Sequence, residues 1–140
     1  MQKIVSCLWF DRQAEEAINL YTSIFPNSQV GALSHYGDNM PLPKGTVMTV
    51  SFQLAGQEFM AINGGPEFSF TPAVSFFVSC QTVQELDALW AALAPGGTVL
   101  MELAQYPFSE RFGWLNDRYG VSWQFSLAGT LLTIAPYLMF

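Results

Sequence analysis

The chain is short of positive charge, of histidine and of cysteine, and each shortage closes a class of function. Five Lys and Arg stand against eleven Asp and Glu among 140 residues, a formal net charge of −6. No basic face can be assembled to neutralise a phosphate backbone, so nucleic acid is excluded as a partner and an anionic membrane surface is disfavoured. His35 is the one histidine. A Ser-His-Asp or Cys-His arrangement cannot be built around it, and the glycine usage offers no phosphate loop. Cys7 and Cys80 have no metal-ligand spacing and lie in apolar strand patterns, so both read as small buried hydrophobes of a reducing compartment. Lys3, Asp11, Arg12, Lys44 and Glu67 interrupt the candidate runs of membrane length, and the N-terminus runs straight into a strand pattern without a secretory signal. The expectation is a cytoplasmic protein with no membrane partner.

What the chain has is a pattern written twice. Asp117-Arg118-Tyr119-Gly120 separates two alternating runs, Gly113 to Asn116 and Val121 to Phe125, and reads as a hairpin turn. Ala55-Gly56 separates Thr49–Leu54 from Gln57–Ile62 in the same manner, with its glycine in the matching place. Ahead of each hairpin comes a strand pattern and then a helix. Lys3 to Phe10 is the first strand, and Asp11 is placed to cap a helix whose apolar stripe is Ala14, Ala17, Ile18, Tyr21 and Phe25, with Glu15 and Glu16 at the positive end of its dipole. Pro26-Asn27 ends it. Ala73 to Cys80 is the strand of the second copy, and Thr82-Val83-Gln84-Glu85 is a capping box that opens a helix with the stripe Leu86, Leu89, Trp90 and Leu93. Ser28 to Tyr36 and Thr98 to Leu103 complete the two copies, with Ala104 to Arg111 read as a loop.

The order is strand, helix, three strands, repeated: an α+β chain of paired βαβββ modules at residues 3–66 and 73–127 within a single 1–140 domain, with an apolar tail at 128–140. The first copy carries extra residues from Tyr36 to Gly45, either a lid over whatever the sheet encloses or a tolerated surface insertion.

Leu8-Trp9-Phe10-Asp11 with Ala14-Glu15-Glu16-Ala17, Tyr21 to Ser28, Phe59-Met60-Ala61-Ile62-Asn63-Gly64-Gly65-Pro66, Gly113-Trp114-Leu115, Asp117 and Gly120-Val121-Ser122-Trp123-Gln124 resemble the PhnB-like family. That family is part of the glyoxalase, bleomycin-resistance and extradiol-dioxygenase (vicinal oxygen chelate) superfamily, and the resemblance runs from Lys3 to Leu127. It implies curved mixed sheets, each module forming half of a cup. It also implies divalent-metal positions on the first and last strand of each module, which fall around Val5 to Cys7, near Ser75, and on Met60 and Gln124. Only Gln124 offers a plausible ligand, and one neutral amide beside a thioether and a hydroxyl will not hold a hard cation, so no metal is expected. Members often carry the label 3-demethylubiquinone 3-methyltransferase. Gly64-Gly65-Pro66 is the only candidate glycine turn for its cofactor, and it follows a hairpin strand with no helical pattern after it, so no cofactor is expected.

Strand parity selects the candidate site. Ser122, Gln124 and Ser126 share one face and Trp123 and Phe125 the other; Ser75, Phe77 and Ser79, and Met60 with Glu58 and Ile62, fall on the cup side by the same rule, while Val74, Phe76 and Val78 pack on helices. Candidate ligand contacts are Trp9, Met60, Ser75, Phe77, Trp114 and Gln124, an apolar lining with a few polar handles. Glu102 is the one candidate base if it faces the cup, and a solvent-facing edge residue otherwise. Asp117 is read as an Asx turn. Two functions follow: a small-molecule binding protein without a metal, or a metal-independent enzyme on a small apolar or aromatic substrate. The uncharged segment Leu131 to Phe140, together with open sheet faces and edges, predicts a homodimer.

Overall fold

A computed structural model describes residues 2–128. The chain divides between Phe70 and Thr71 into two compact units. The first contains β1 (Ser6–Phe10), α1 (Ala14–Ile24), β2 (Gln29–His35), β3 (Val47–Leu54) and β4 (Gln57–Asn63); the second contains β5 (Phe76–Cys80), α2 (Val83–Leu93), β6 (Thr98–Tyr106), β7 (Ser109–Asn116) and β8 (Ser122–Leu127). Each unit is a four-stranded sheet of the same order, β1-β4-β3-β2 and β5-β8-β7-β6. In both, the first and last strands pair in parallel and the others antiparallel. The α+β assignment and the doubled βαβββ order hold.

Both hairpin turns form at the glycines that the pattern marked. Gly56 and Gly120 take φ of +81° and +92°, the left-handed region open to residues without a Cβ. Asp117 ties the second turn together: its Oδ1 accepts from the backbone N–H of Tyr119 at 2.9 Å and of Val121 at 3.0 Å, and its Oδ2 accepts from Trp123 Nε1 at 3.0 Å. The carboxylate is buried, and it is the strand-facing indole as much as the turn that holds it there.

Four local expectations are corrected. Asp11 does not cap α1; the residue before the helix is Gln13, which makes no capping bond, and Asn63 at the end of β4 supplies the acceptor instead, its Oδ1 2.9 Å from Ala14 N. Asn63 Nδ2 donates to Glu15 Oε1 at 2.7 Å and to Val47 O at 3.0 Å, so a side chain distant in sequence satisfies an orphan helix donor that a neighbour was expected to satisfy. Ala104 to Arg111 is not a loop. β6 runs on to Tyr106 and β7 starts at Ser109, Tyr106 pairing with Ser109 and Ala104 with Phe112 around a turn at Pro107-Phe108. Proline is tolerated there because it sits in the turn, and Phe108, Phe112 and Tyr106 pack on one another at 5.0 to 5.7 Å between ring centres. Finally, Cys7 is exposed rather than buried, because it lies on the sheet face that α1 does not cover. β5 is also shorter than its apolar pattern, and Ala73 to Ser75 precede it.

At α2 the capping box forms in a shifted version: Thr82 Oγ1 accepts from Glu85 N at 3.1 Å, while Glu85 reaches back one residue further, to Gln81 N at 2.7 Å. The Tyr36–Gly45 segment is held down on its own unit. Tyr36 and Leu42 are buried, and Tyr36 Oη donates to Asn63 O at 2.6 Å.

Cys80 is fully buried, and its thiol is pushed up to about 12 by burial and, secondarily, by the Glu85 carboxylate. A thiol whose folded pKa lies above its unfolded value favours the folded state while it stays protonated. Its contribution is therefore lost as the pH climbs from about 9, where the unfolded thiol ionises, toward 12. At pH 8 a disulfide reagent should modify Cys7 slowly, because partial burial raises that thiol too, and should reach Cys80 only in denaturant. Two thiols reacting at similar rates in the native protein would contradict the packing of β5.

Candidate functional site: the open faces of the two sheets

In each unit the helix takes one face of the sheet and leaves the other. Asn63 caps α1 from the face it shares with Phe59 and Ala61, and Phe59 stacks on Phe52 at 5.3 Å. Phe125 meets Trp90 of α2 edge-on at 6.3 Å, and a Cβ on Gly113 would run into the Trp90 ring. Met60 and Gln124 therefore sit on the faces that the helices leave, with Phe59 and Trp123 on the opposite ones. The registers match: Met60 pairs with Cys7 in the first unit and Gln124 with Phe77 in the second.

The two open faces differ in kind. On the second sheet Gln124 Nε2 donates to Ser75 Oγ at 2.7 Å, and Trp114 Nε1 donates to Ser122 Oγ at 2.7 Å. Gln124 Oε1 is buried with no partner among the described residues. Phe77 packs at 6.3 Å from Phe112, which belongs to a cluster with Phe108 and Trp114 flanked by Leu100, Met101 and Tyr106. Ser75, Phe77, Trp114 and Gln124 are thus brought together, on a face filled by its own aromatic side chains. Glu102 is exposed on the edge strand β6, and it is its backbone carbonyl that holds the Tyr106 hydroxyl at 2.6 Å.

On the first sheet the face holds an open groove of about 380 Å³ over β2, β3 and β4, with Met60 in its lining. Gly31 lets Ser51 of β3 close in on β2. It lies at the irregularity in β2 between Val30 and Leu33, and a Cβ there would come within 2.5 Å of Ser51 Oγ, which accepts from Ala32 N at 2.8 Å. Gln2 closes one end through three hydrogen bonds with Glu58, backbone and side chain. The sequence pattern pointed to Met60 but not to Gly31 or the glutamines; a glycine inside an alternating strand was the available signal. Trp9 is half-buried and engaged elsewhere, its Nε1 donating to Gly65 O at 3.0 Å and its ring edge-on to Phe68 at 4.9 Å.

A paired βαβββ chain with helix-free sheet faces is the fold of the glyoxalase/bleomycin resistance/dioxygenase superfamily. Solved structures share it at low identity: a genomically encoded fosfomycin resistance protein from Listeria monocytogenes (17% identity, 94% of this chain and 95% of that one, TM-score 0.62) and a glyoxylase/bleomycin resistance protein/dioxygenase domain from Frankia (16%, 91% and 92%, TM-score 0.60). Within that fold the chain belongs to the PhnB-like family whose model is described as 3-demethylubiquinone-9 3-methyltransferase, matched over residues 2–126. A Bacillus cereus protein provisionally described as a 3-demethylubiquinone-9 3-methyltransferase, PhnB protein, is 50% identical over 91% of this chain and 100% of its own, with a TM-score of 0.86. Comparison with curated proteins finds no match.

Neither group that these relationships imply fits the residues present. A divalent metal would draw on Met60 and Cys7 in one unit and on Ser75 and Gln124 in the other, a donor set without a carboxylate or imidazole, in which Ser75 and Gln124 already bond each other. Among the described residues no three His, Cys, Asp or Glu converge, and His35 is exposed on β2. For S-adenosylmethionine the Gly64-Gly65 turn would have to present free backbone donors. Gly64 N donates to Phe10 O at 2.9 Å and Gly65 N to Asp11 O at 3.1 Å, and the Trp9 ring fills the space a Cβ on Gly64 would take. That turn is a joint between β4 and the β1–α1 connection.

Proposed function

We propose that the protein binds a small, largely apolar molecule on the open face of the first sheet, with no metal and no methyl donor. The groove over β2, β3 and β4 carries this reading: about 380 Å³ is the size of a small-ligand pocket, and it combines an apolar base at Met60 with polar side chains at its rim. The second unit's face supports it less, since its aromatic residues already pack on one another. The alternative, a metal-independent enzyme on a small apolar or aromatic substrate, would need a base beside the substrate. Glu102, exposed on an edge strand, does not favour it. The expected homodimer rests largely on a segment outside the described residues and stays a proposal.

Native mass spectrometry of freshly purified protein should show a retained organic molecule, unchanged in structure, and elemental analysis should show no stoichiometric zinc, nickel or iron. Met60→Trp, which fills the groove, should abolish retention while leaving the fold intact by circular dichroism. Retention undiminished in Met60→Trp places the ligand elsewhere, and a recovered molecule that is a converted product points to catalysis.

A further inference from the structure

We infer that the first unit's groove selects a ligand with a protonated amine at one end and an apolar, ring-sized body at the other; this rests on the binding role proposed for that groove. The register lays the lining out in two rows across the sheet. Gln29 lies opposite Gln53, and Gln53 opposite Glu58, so three strands place two carboxamides and a carboxylate side by side. Two residues along each ladder, Ser51 lies opposite Met60, and Gly31 adds no side chain beside them. One row is polar and acidic, the next carries Met60 beside the small residues Ser51 and Gly31, and rows two residues apart on one face are separated by about 7 Å.

Charge decides what the polar row accepts. Among the described residues Glu58 is the only ionisable one in the lining, and Lys3, Arg12 and Lys44 are not part of it. Its Oε2 accepts from the backbone N–H of Gln2 at 3.1 Å, a neutral donor, and no cationic side chain among the described residues pairs with it. The two salt bridges among the described residues, Lys44–Asp38 and Arg111–Asp87, involve other carboxylates. An anionic ligand would meet a carboxylate with no cation among the described lining residues to offset it. A neutral ligand would leave the charge unused. An ammonium has three N–H donors and no acceptor, which suits a carboxylate at the end of a row whose other two members are carboxamides with carbonyl oxygens to accept. A short linker from that ammonium brings a ring over Met60 in the groove.

The test uses 2-phenylethylamine, 2-phenylethanol and 3-phenylpropionate at pH 7, titrated against full-length protein labelled with ¹³C at the methionine methyls. The Met60 line is assigned by its loss in Met60→Leu. The amine should shift that line and bind about five-fold more tightly than the alcohol, the scale of a solvent-accessible ion pair, with the carboxylate weakest. Glu58→Gln should erase the advantage of the amine over the alcohol measured in the same variant, and the fold should be kept because the amide can still accept from Gln2 N. Equal binding of amine and alcohol, an amine preference that survives Glu58→Gln, or tighter binding of the carboxylate overturns the inference while leaving the groove as a binding site. A Met60 line unmoved by all three probes also overturns it. The binding role of the groove falls separately, if nothing is retained in native mass spectrometry or if retention is undiminished in Met60→Trp.

Discussion

Replacing Asp117 with Ala should lower stability by about 4 kcal/mol, because three donors lose their acceptor at once and buried unpaired donors cost about 1–3 kcal/mol each before relaxation. The affected groups are the N–H of Tyr119 and Val121 and the indole N–H of Trp123, all held at 2.9 to 3.0 Å by a carboxylate that is itself buried. For a chain of this length the loss corresponds to a fall in Tm of about 12 °C. Asp117→Asn separates the turn from the indole. Its carbonyl oxygen can keep both backbone bonds, but its NH2 then faces the Trp123 donor, so about half the loss should remain. Thermal unfolding followed by circular dichroism and by tryptophan emission checks both variants. If Asp117→Ala melts within a few degrees of the parent, the carboxylate is not what closes the β7–β8 hairpin.

Asn63→Ala should cost about 3 kcal/mol, a little beyond the upper end for losing an N-cap, because the same amide serves more than the helix. It accepts from Ala14 N, donates to Glu15 and to the Val47 carbonyl, and all of this happens at a residue 1% exposed. Asn63→Asp is the informative partner. It keeps an acceptor for Ala14 N but turns an oxygen toward Glu15 Oε1 and Val47 O, where the amide had donated. That repulsion disfavours the charged form in the folded state and raises the introduced carboxyl's pKa there. The folded state is then stabilised by protonation, so the deficit of the Asp variant should be largest at neutral pH and shrink as the pH falls toward about 4, where carboxyls titrate. Urea unfolding at pH 7 and pH 4.5 reads it. A deficit that does not depend on pH would mean that Glu15 does not face residue 63.

The corrections share one physical origin. Asp11 has the right chemistry at the right local spacing for an N-cap, and so does Thr82; Thr82 caps its helix and Asp11 does not. The difference lies in β4, whose parallel pairing with β1 sets Phe10 beside Asn63 and so carries an amide to the start of α1. A competitor that arrives through strand pairing leaves no local trace. The expected loop from Ala104 to Arg111 fails for a related reason: strands continue up to a turn at Pro107-Phe108, and their pairing is secured by aromatic packing between Tyr106, Phe108 and Phe112.

The candidate site divides along the same line. Met60 and Gln124 are matched by the family resemblance and placed on equivalent faces by a period of two, and both lie on the faces that the helices leave, because alternation is a property of any extended strand. Sequence alone could not say that one face would be an open groove and the other a packed aromatic layer. That depends on the β2 irregularity at Gly31 and on which side chains the ladders set shoulder to shoulder.

The sequence by itself determined the doubled βαβββ order, both helices, both glycine turns, the Asp117 motif, the family, and the deficit of donors that argues against a metal. All of these are set by residue type and short spacing. The tertiary structure alone decided that Asn63 caps α1, that Cys7 is exposed while Cys80 is buried, that Trp9 and the Gly64-Gly65 turn are taken up with each other, and that Gln29, Gln53 and Glu58 stand in one row beside Met60. Each of those depends on which strand lies next to which, and in what register. Register is an energy balance over the whole sheet, which no stretch of sequence carries within itself.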